Sequence, residues 1–391
     1  MKALLVDTGF SARPLLVAAR ALSYETAIVG GRSDDFLAAS IKPFFHSDYS
    51  NSDTIGQLFD SQGFSGLIPG CTDVSYQTCS ALLGRPAVRG VDSSELSRCL
   101  HDKAAFRALC YTLNLPAPEC PDAQAALAPE QSVIVKPVDS YSGRGISVVE
   151  AGQHEQFQSA RDRACRESRS DTCIVEAFVS GQLYSTSAFI RDGRIVQSFL
   201  VEEHCGETDY AVRLSRTVAE SRGGNRARTE SDIQAIASHL ALQDGLMHLQ
   251  WIEDGQDYWL IELTRRCPGD LYARLIQLST GYDYALAYVA PFLGSEVHSD
   301  KACASRQDKG VLRMTVHGTA NTVFCGVTFN SAVRVIEFVP TLASGDLIGG
   351  STRVGVLFIE TDALASDSLS AWVSEEDIYR VECIAAEHWR T

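Results

Sequence analysis

The chain has 391 residues with 34 basic and 49 acidic side chains, a net charge of −15. That length suits two or three domains, and that charge argues against a general binder of nucleic acid or of an anionic membrane. Its 45% apolar and 21% charged content is ordinary for a soluble globular protein. Twelve cysteines lie scattered with no C-x-x-C pair, which points to reduced thiols in a cytoplasmic protein rather than a disulfide framework or a zinc cluster. Asp7 interrupts the short apolar start, so no signal peptide is read. No apolar run approaches the roughly 20 residues that span a bilayer.

Residues 1–95 alternate strands and helices, which implies a parallel sheet. Ala3 to Val6 reads as a buried strand, Arg13 to Leu22 as a helix and Thr26 to Val29 as a second strand. Gly66 to Gly70 is a third strand end, followed by a helix through Leu83. No G-x-G-x-x-G follows the first strand, so the dinucleotide fingerprint is missing. Residues 96–120 read as one helix with Lys103 near its start. A lysine there opposes the helix dipole, which suggests a bound anion.

Val133-Ile-Val-Lys-Pro-Val-Asp-Ser-Tyr-Ser-Gly-Arg-Gly-Ile146 is the organising stretch. Pro137 forbids a helix, and Gly143 and Gly145 permit backbone angles that other residues resist. The reading is a strand–loop–strand clamp with Lys136 at its base and bare amides at its tip, a recipe for holding polyphosphate. A polar helix at about 155–167 follows, then strands at 172–176, 184–190 and 195–201, the last two joined at Asp192-Gly193. Residues 202–230, polar and arginine-rich, read either as a loop at a site entrance or as plain surface. After a helix at 230–242 comes a hairpin, 247–252 and 258–264, then helices at 271–278 and 284–293. From about 305 onward short strands and turns form a small β-rich tail.

The hairpin carries the second cluster. Pairing across a five-residue turn places His248, Gln250, Glu262 and Thr264 on one face, with His248 opposite Glu262. Trp251, Trp259, Ile261 and Leu263 take the other face. A carboxylate among apolar strand residues needs a cation. Glu262 is therefore a candidate magnesium ligand or the partner of Arg265 or Arg266. Arg266 would stabilise a developing negative charge or sit as a solvated cation. Glu176, ending a strand before Ala177-Phe178-Val179, would offer adenine a carboxylate and main-chain partners, or merely end a surface strand.

Together these residues resemble the ATP-grasp superfamily, in particular the carboxylate–amine ligases. The resemblance rests on Asp102-Lys103 with Phe106-Arg107, the 133–146 clamp, Val175 to Gly181, and Ile261-Glu-Leu-Thr-Arg-Arg-Cys-Pro-Gly-Asp270. The tail around Gly350 to Gly355 looks like the small β-domain of biotin-carboxylase-like and L-amino-acid-ligase-like members. The fold class implied is α/β and α+β multidomain: an N-terminal open parallel α/β domain at 1–95, ATP-grasp lobes at 96–304 with a lid at about 130–200, and a β-rich domain at 305–391. The resemblance implies that Lys103 and Lys136 contact ATP phosphates and that the loop of Ser142, Gly143 and Gly145 closes over them. Glu176 with the backbone of Phe178 and Val179 would hold adenine, and His248 is counted with the nucleotide site. Glu262 would bind Mg2+, with Mn2+ as the alternative ion, and Arg266 the acyl phosphate or the substrate carboxylate.

Three positions depart from the family pattern. Leu183 stands where an acidic ribose ligand is usual, Gln250 where the first metal carboxylate is usual, and Thr264 where an asparagine is usual. Gln250 and Thr264 still offer neutral oxygens to the metal. The activity implied is ADP-forming joining of a small-molecule carboxylate, amino acids among the candidates, to an amine, by a protein whose family members are often homodimers. The alternatives are a carboxyphosphate-forming carboxylase and a nucleotide-binding regulatory or scaffold protein with a weakened metal site.

Overall fold

The computed structural model describes residues 1–121, 131–140, 143–206, 210–218, 225–255, 257–295, 310–349, 353–361 and 378–386. The chain begins with β1 (Lys2–Val6), α1 (Arg13–Ala21), β2 (Glu25–Gly30), α2 (Phe36–Ser40), β3 (Phe44–His46), α3 (Ser52–Ser61), β4 (Gly66–Pro69) and α4 (Asp73–Ala81). The four strands form a parallel sheet in the order β3-β2-β1-β4. Ala3, Leu4, Leu5 and Val6 are all buried, as expected of a parallel strand covered on both faces. The elements α2, α3 and β3 escape the sequence reading, although Ile55, Leu58 and Phe59 of α3 stand at helical spacing.

The single helix expected over 96–120 is two, α5 (Ser94–His101) and α6 (Lys103–Thr112). Asp102 separates them with extended backbone angles, and its carboxylate caps α6 by accepting from Ala105 N–H at 2.8 Å. The cap puts Lys103 at the first position of α6.

The clamp is a small sheet of its own, made of β5 (Val133–Pro137), β6 (Ser147–Val149) and, after α7 (His154–Glu167), β7 (Cys173–Ala177) in the order β6-β5-β7. Val133, Val135 and Val149 pack on Phe157, Ala160 and Ala164 of α7. This sheet ends at Ala177, so the lid expected out to about residue 200 takes in strands that lie elsewhere.

Those strands belong to an eight-stranded antiparallel sheet. It takes β8 (Gln182–Arg191), β9 (Arg194–Cys205), β10 (Val212–Thr217) and, after α8 (Arg226–Leu240), β11 (Gly245–Asp254) and β12 (Asp257–Thr264). After α9 (Tyr272–Thr280) and α10 (Tyr284–Leu293) come β13 (Val311–His317), β14 (Thr322–Phe329), β15 (Val335–Pro340), β16 (Leu347–Ile348), β17 (Arg353–Glu360) and β18 (Tyr379–Ala385). The large sheet runs β12-β11-β8-β9-β10-β13-β17-β15, and β16-β14-β18 is a separate three-stranded sheet. The expected tail is therefore not a sheet apart: β13, β17 and β15 continue the central sheet through β10. Part of the segment expected to be a loop, 202–230, is that bridging strand, with Leu214 opposite Met314; residues 207–209 and 219–224 lie outside the described residues.

Alternation along the strands gives the large sheet two apolar faces. Ala188, Ile190, Leu200, Met247, Leu249 and Trp251 pack with Ile233, Ile236 and Ala237 of α8. Phe189, Phe199, Val201 and Leu246 face the other way, into the core shared with α9, α10 and the N-terminal unit. Among the described residues no helix is long and apolar enough to cross a membrane.

Candidate active site

The β11–β12 hairpin sets the site's geometry. Its strands run to a tighter turn than the sequence suggests, pairing Asp254 with Asp257, and a bulge falls between Gln250 and Trp251. The register is thereby shifted: Gln250 lies opposite Glu262, and His248 lies opposite Thr264 rather than Glu262. All four still share a face. The bulge changes the other face, where Trp251, Tyr258, Leu260 and Leu263 are buried while Trp259 and Ile261 are only partly so. An extra residue in one strand reverses the alternation beyond it.

The polar face continues across the sheet. Gln250 pairs with Ser185 of β8 and His248 with Ser187. Gln250 Nε2 donates to Glu203 Oε2 of β9 at 2.7 Å, and Ser185 Oγ donates to Glu203 Oε1 at 2.7 Å. Glu203 is 3% exposed. Burial pushes its carboxyl above the usual range, against the hydrogen bonds from Ser185 and Gln250 and the field of Arg313. Glu262 is more open, and the Lys103 ammonium lies 3.6 Å from its Oε2. His248 sits deeper, with Nδ1 2.8 Å from Ser187 Oγ and its ring edge-on to Tyr272. Burial, reinforced by Arg266, lowers its pKa to about 3, so it stays neutral. The structure seats His248 in this buried hydroxyl cluster and does not bring it against Glu262.

A second group joins the clamp sheet to β12. Lys136 Nζ is 2.7 Å from Glu176 Oε2, and Arg107 Nη2 is 2.6 Å from Oε1. The Arg107 guanidinium also donates to the carbonyls of Leu260 at 2.6 Å and Ile261 at 3.2 Å. Arg107 thus meets carbonyls on β12, the edge strand of the large sheet, beside the bulge. Burial would raise the Glu176 carboxyl, but Lys136 and Arg107 outweigh it and hold it low. The Glu176 carboxylate is therefore engaged by two cations rather than open to an adenine. Phe178 and Val179 lie in the link between β7 and β8; Phe178 is 39% exposed and its N–H is given to Ser132 O at 2.9 Å.

Lys103 connects the clamp to the carboxylate face: its Nζ donates to Ser140 O at 2.9 Å while approaching Glu262. Gly143 and Gly145 have φ of 72° and 74°, in the left-handed region. A Cβ at Gly145 would fall 2.8 Å from Pro137 Cγ and from Glu167 Cβ. Ser142 lies outside the described residues.

Past β12 the chain meets the N-terminal unit. Arg266 Nε donates to Asp73 Oδ1 of α4 at 2.8 Å. Burial alone would raise Asp73, but Arg266, His101 and Lys103 hold its carboxyl well below the usual range. The Thr264 hydroxyl turns to this group, 3.3 Å from Asp73 Oδ1 and from His101 Nε2, and accepts from Arg266 N–H at 3.2 Å. It is committed here rather than to Glu262. His101 Nε2 accepts from Arg265 N–H at 3.0 Å, and burial lowers its pKa to about 4 despite Asp73. Arg265 is fully buried on Asp92, at 2.7 Å. It is structural, and Arg266 is the arginine that borders the carboxylate face.

Two further residues have site-like surroundings that the sequence reading missed. Glu203 is one. Arg313 of β13 is the other: 2% exposed, it donates to Ser215 Oγ at 2.9 Å and approaches Asp270 Oδ2 at 3.8 Å, and its Nε has no hydrogen-bond partner among the described residues. Burial lowers its pKa against the pull of Asp270 and Glu203. The available signal was a charge in mid-strand between Leu312 and Met314.

No family model matches the chain, and no curated protein matches it by sequence. Solved structures do match over almost its full length. Phosphoribosylglycinamide synthetase from Anaerococcus prevotii is 16% identical, with 98% of this chain and 99% of that one covered and a TM-score of 0.74. L-amino acid ligase from Bacillus licheniformis is 14% identical, covering 97% and 98%, with a TM-score of 0.76. The biotin carboxylase domain of 2-oxoglutarate carboxylase from Hydrogenobacter thermophilus, solved with MgADP and bicarbonate, is 12% identical, covering 98% and 90%, with a TM-score of 0.75. The chain has the ATP-grasp fold, with the parallel N-terminal unit as expected, followed by a large antiparallel sheet.

Proposed function

We propose that this protein is an ATP-dependent ligase that activates a substrate carboxylate as an acyl phosphate and joins it to an amine, releasing ADP and phosphate. The observation that carries the reading is the position of Lys103, whose ammonium touches both the clamp at Ser140 O and the carboxylate of Glu262. A triphosphate between clamp and sheet would meet that cation, Lys136 and the amides around Gly143 and Gly145.

The donor set fits a divalent ion held partly by the nucleotide. Glu262 supplies a carboxylate, and Gln250, whose amide nitrogen is given to Glu203, has a carbonyl oxygen with no hydrogen bond among the described residues. One or two protein oxygens plus phosphates suit Mg2+, and Mn2+ by the same chemistry. Held by Glu262 and Gln250, such an ion would offset the charge of the phosphates. Thr264, committed elsewhere, is outside this set.

The protein's own part is positioning and charge. Lys136, oriented by Glu176, and Lys103 align the γ-phosphate. The substrate carboxylate oxygen attacks phosphorus and ADP leaves. The amine then attacks the acyl carbon and phosphate leaves, with Arg266 steadying the charge on oxygen. In this reading Arg313, whose Nε has no hydrogen-bond partner among the described residues, would receive a carboxylate.

The test is product analysis across a panel of carboxylates, amino acids among them, each paired with an amine. ADP and phosphate formed only with both substrates support the reading. AMP and pyrophosphate contradict it, and ADP release driven by bicarbonate alone assigns a carboxylase.

A further inference from the structure

We propose that Glu203 is a positioning residue for the metal site: it fixes the Gln250 amide so that its carbonyl oxygen is presented toward Glu262, and supplies from β9 the negative charge that Gln250 lacks. The inference rests on the nucleotide–metal reading above and goes beyond it by assigning the origin of the second charge.

The strand order gives the direction. Glu262 stands on β12, on one flank of β11; Glu203 stands on β9, on the opposite flank beyond β8. Gln250, opposite Glu262 in the register, donates Nε2 to Glu203 Oε2 at 2.7 Å. A carboxylate only accepts, so the nitrogen is the end of the amide held on the β9 side. The two ends of a primary amide diverge, so Oε1 is turned from Glu203, and Glu262 is the residue across the register from Gln250.

Energetics supply the second argument. Glu203 is 3% exposed and forms no ion pair among the described residues; its oxygens are met only by Ser185 and Gln250, both neutral. A buried carboxylate with no cation in contact is costly. A divalent ion at Glu262 and Gln250 would lie one hydrogen-bonded amide away and offset that cost. The site would then hold two negative charges, Glu262 in contact and Glu203 behind Gln250, which matches a site with two carboxylates in contact. Groups behind the ligands commonly change metal affinity by about 10–100-fold when removed.

The experiment is Mn2+ binding to the protein–ADP complex, followed by electron paramagnetic resonance, so that no turnover is needed. E203Q, nearly isosteric and still able to bond Ser185 and Gln250, is expected to weaken Mn2+ binding by about 10–100-fold. Its metal-free thermal midpoint should be no lower than the wild type's, since the unpaired buried charge is gone, and its ADP affinity should stay close to the wild type. The exchange variant E203Q/Q250E, which moves the carboxylate to β11 and the amide to β9, is expected to regain most of the affinity. Wild-type Mn2+ affinity in E203Q, or no recovery in a folded exchange variant, overturns the inference while leaving the metal site standing. If the wild type itself binds no Mn2+ with ADP, or E262A binds it undiminished, the underlying reading falls, and this inference with it.

Discussion

Arg107 holds Glu176 at 2.6 Å and, with the same guanidinium, the carbonyls of Leu260 and Ile261. One buried side chain on α6 thus ties the clamp sheet to the bulged edge strand that carries Glu262. Its replacement by methionine leaves Glu176 with Lys136 alone and the two carbonyls unmet. The expected cost is about 3–5 kcal/mol, the range for breaking a buried charge network by removing one partner. Urea unfolding of R107M measures it, and a loss under about 1 kcal/mol would show that the network carries little stability.

Two histidines, His248 buried and His101 partly buried, give a pH signature. His101 and His248 have folded pKa values lowered to about 4 and about 3, below an unfolded value of about 6.5. Their neutral forms favour folding, so this stability is fully present above pH 6.5 and is lost as pH falls toward the folded values. Each adds a slope of up to about 1.4 kcal/mol per pH unit in that window. Glu203, whose folded pKa is raised, works in the opposite sense. The histidine contribution is therefore read as a difference: between pH 4 and 6, H248Q should lose about one proton's worth of slope relative to the wild type. An unchanged slope would mean that His248 is protonated in the folded protein.

Arg266 is expected to act on charge rather than on folding. R266M should lower kcat/KM by about 10²–10³-fold, the usual cost of removing a donor to developing negative charge. R266K should recover only part of this, because an ammonium cannot reproduce the guanidinium fork against Asp73. Steady-state kinetics on both variants, with folding checked by circular dichroism, decides the matter. Equal loss of thermal stability and activity would reassign Arg266 to holding α4 in place.

The clamp loop depends on Gly145. At φ of 74°, with Pro137 and Glu167 against the missing Cβ, valine there carries strain of about 1–3 kcal/mol. G145V should raise KM for ATP more than it changes kcat, since the loop's work is gripping phosphate. A change in kcat alone would place the loop in a later step.

Much of this arrangement is legible in the sequence because it is local. The β-branched run before Lys136, the glycines after it and the alternation at 258–264 each follow from neighbours within a few residues. The shared face of His248, Gln250, Glu262 and Thr264 follows from a period of two. The register does not, because a tight turn and a bulge moved the pairing by two places; Asp254-Gly255 marks the turn, but the bulge has no composition cue. Long-range partners are hidden for the same reason. Nothing near Glu176 announces Arg107, 69 positions earlier, and nothing near Gln250 announces Glu203. The continuity of β10 with β13 was masked by polar residues in Val212-Arg-Leu-Ser-Arg-Thr217, whose strand character comes from its partners.

The most direct measurement is metal-dependent ADP formation by the wild type and by E262A, in the presence of the carboxylate and amine that support turnover. A triphosphate held between Lys103, Lys136 and an ion on Glu262 predicts that E262A loses at least about 10³-fold in kcat/KM while keeping its fold. E262A consuming ATP at the wild-type rate with the same Mg2+ dependence would contradict it.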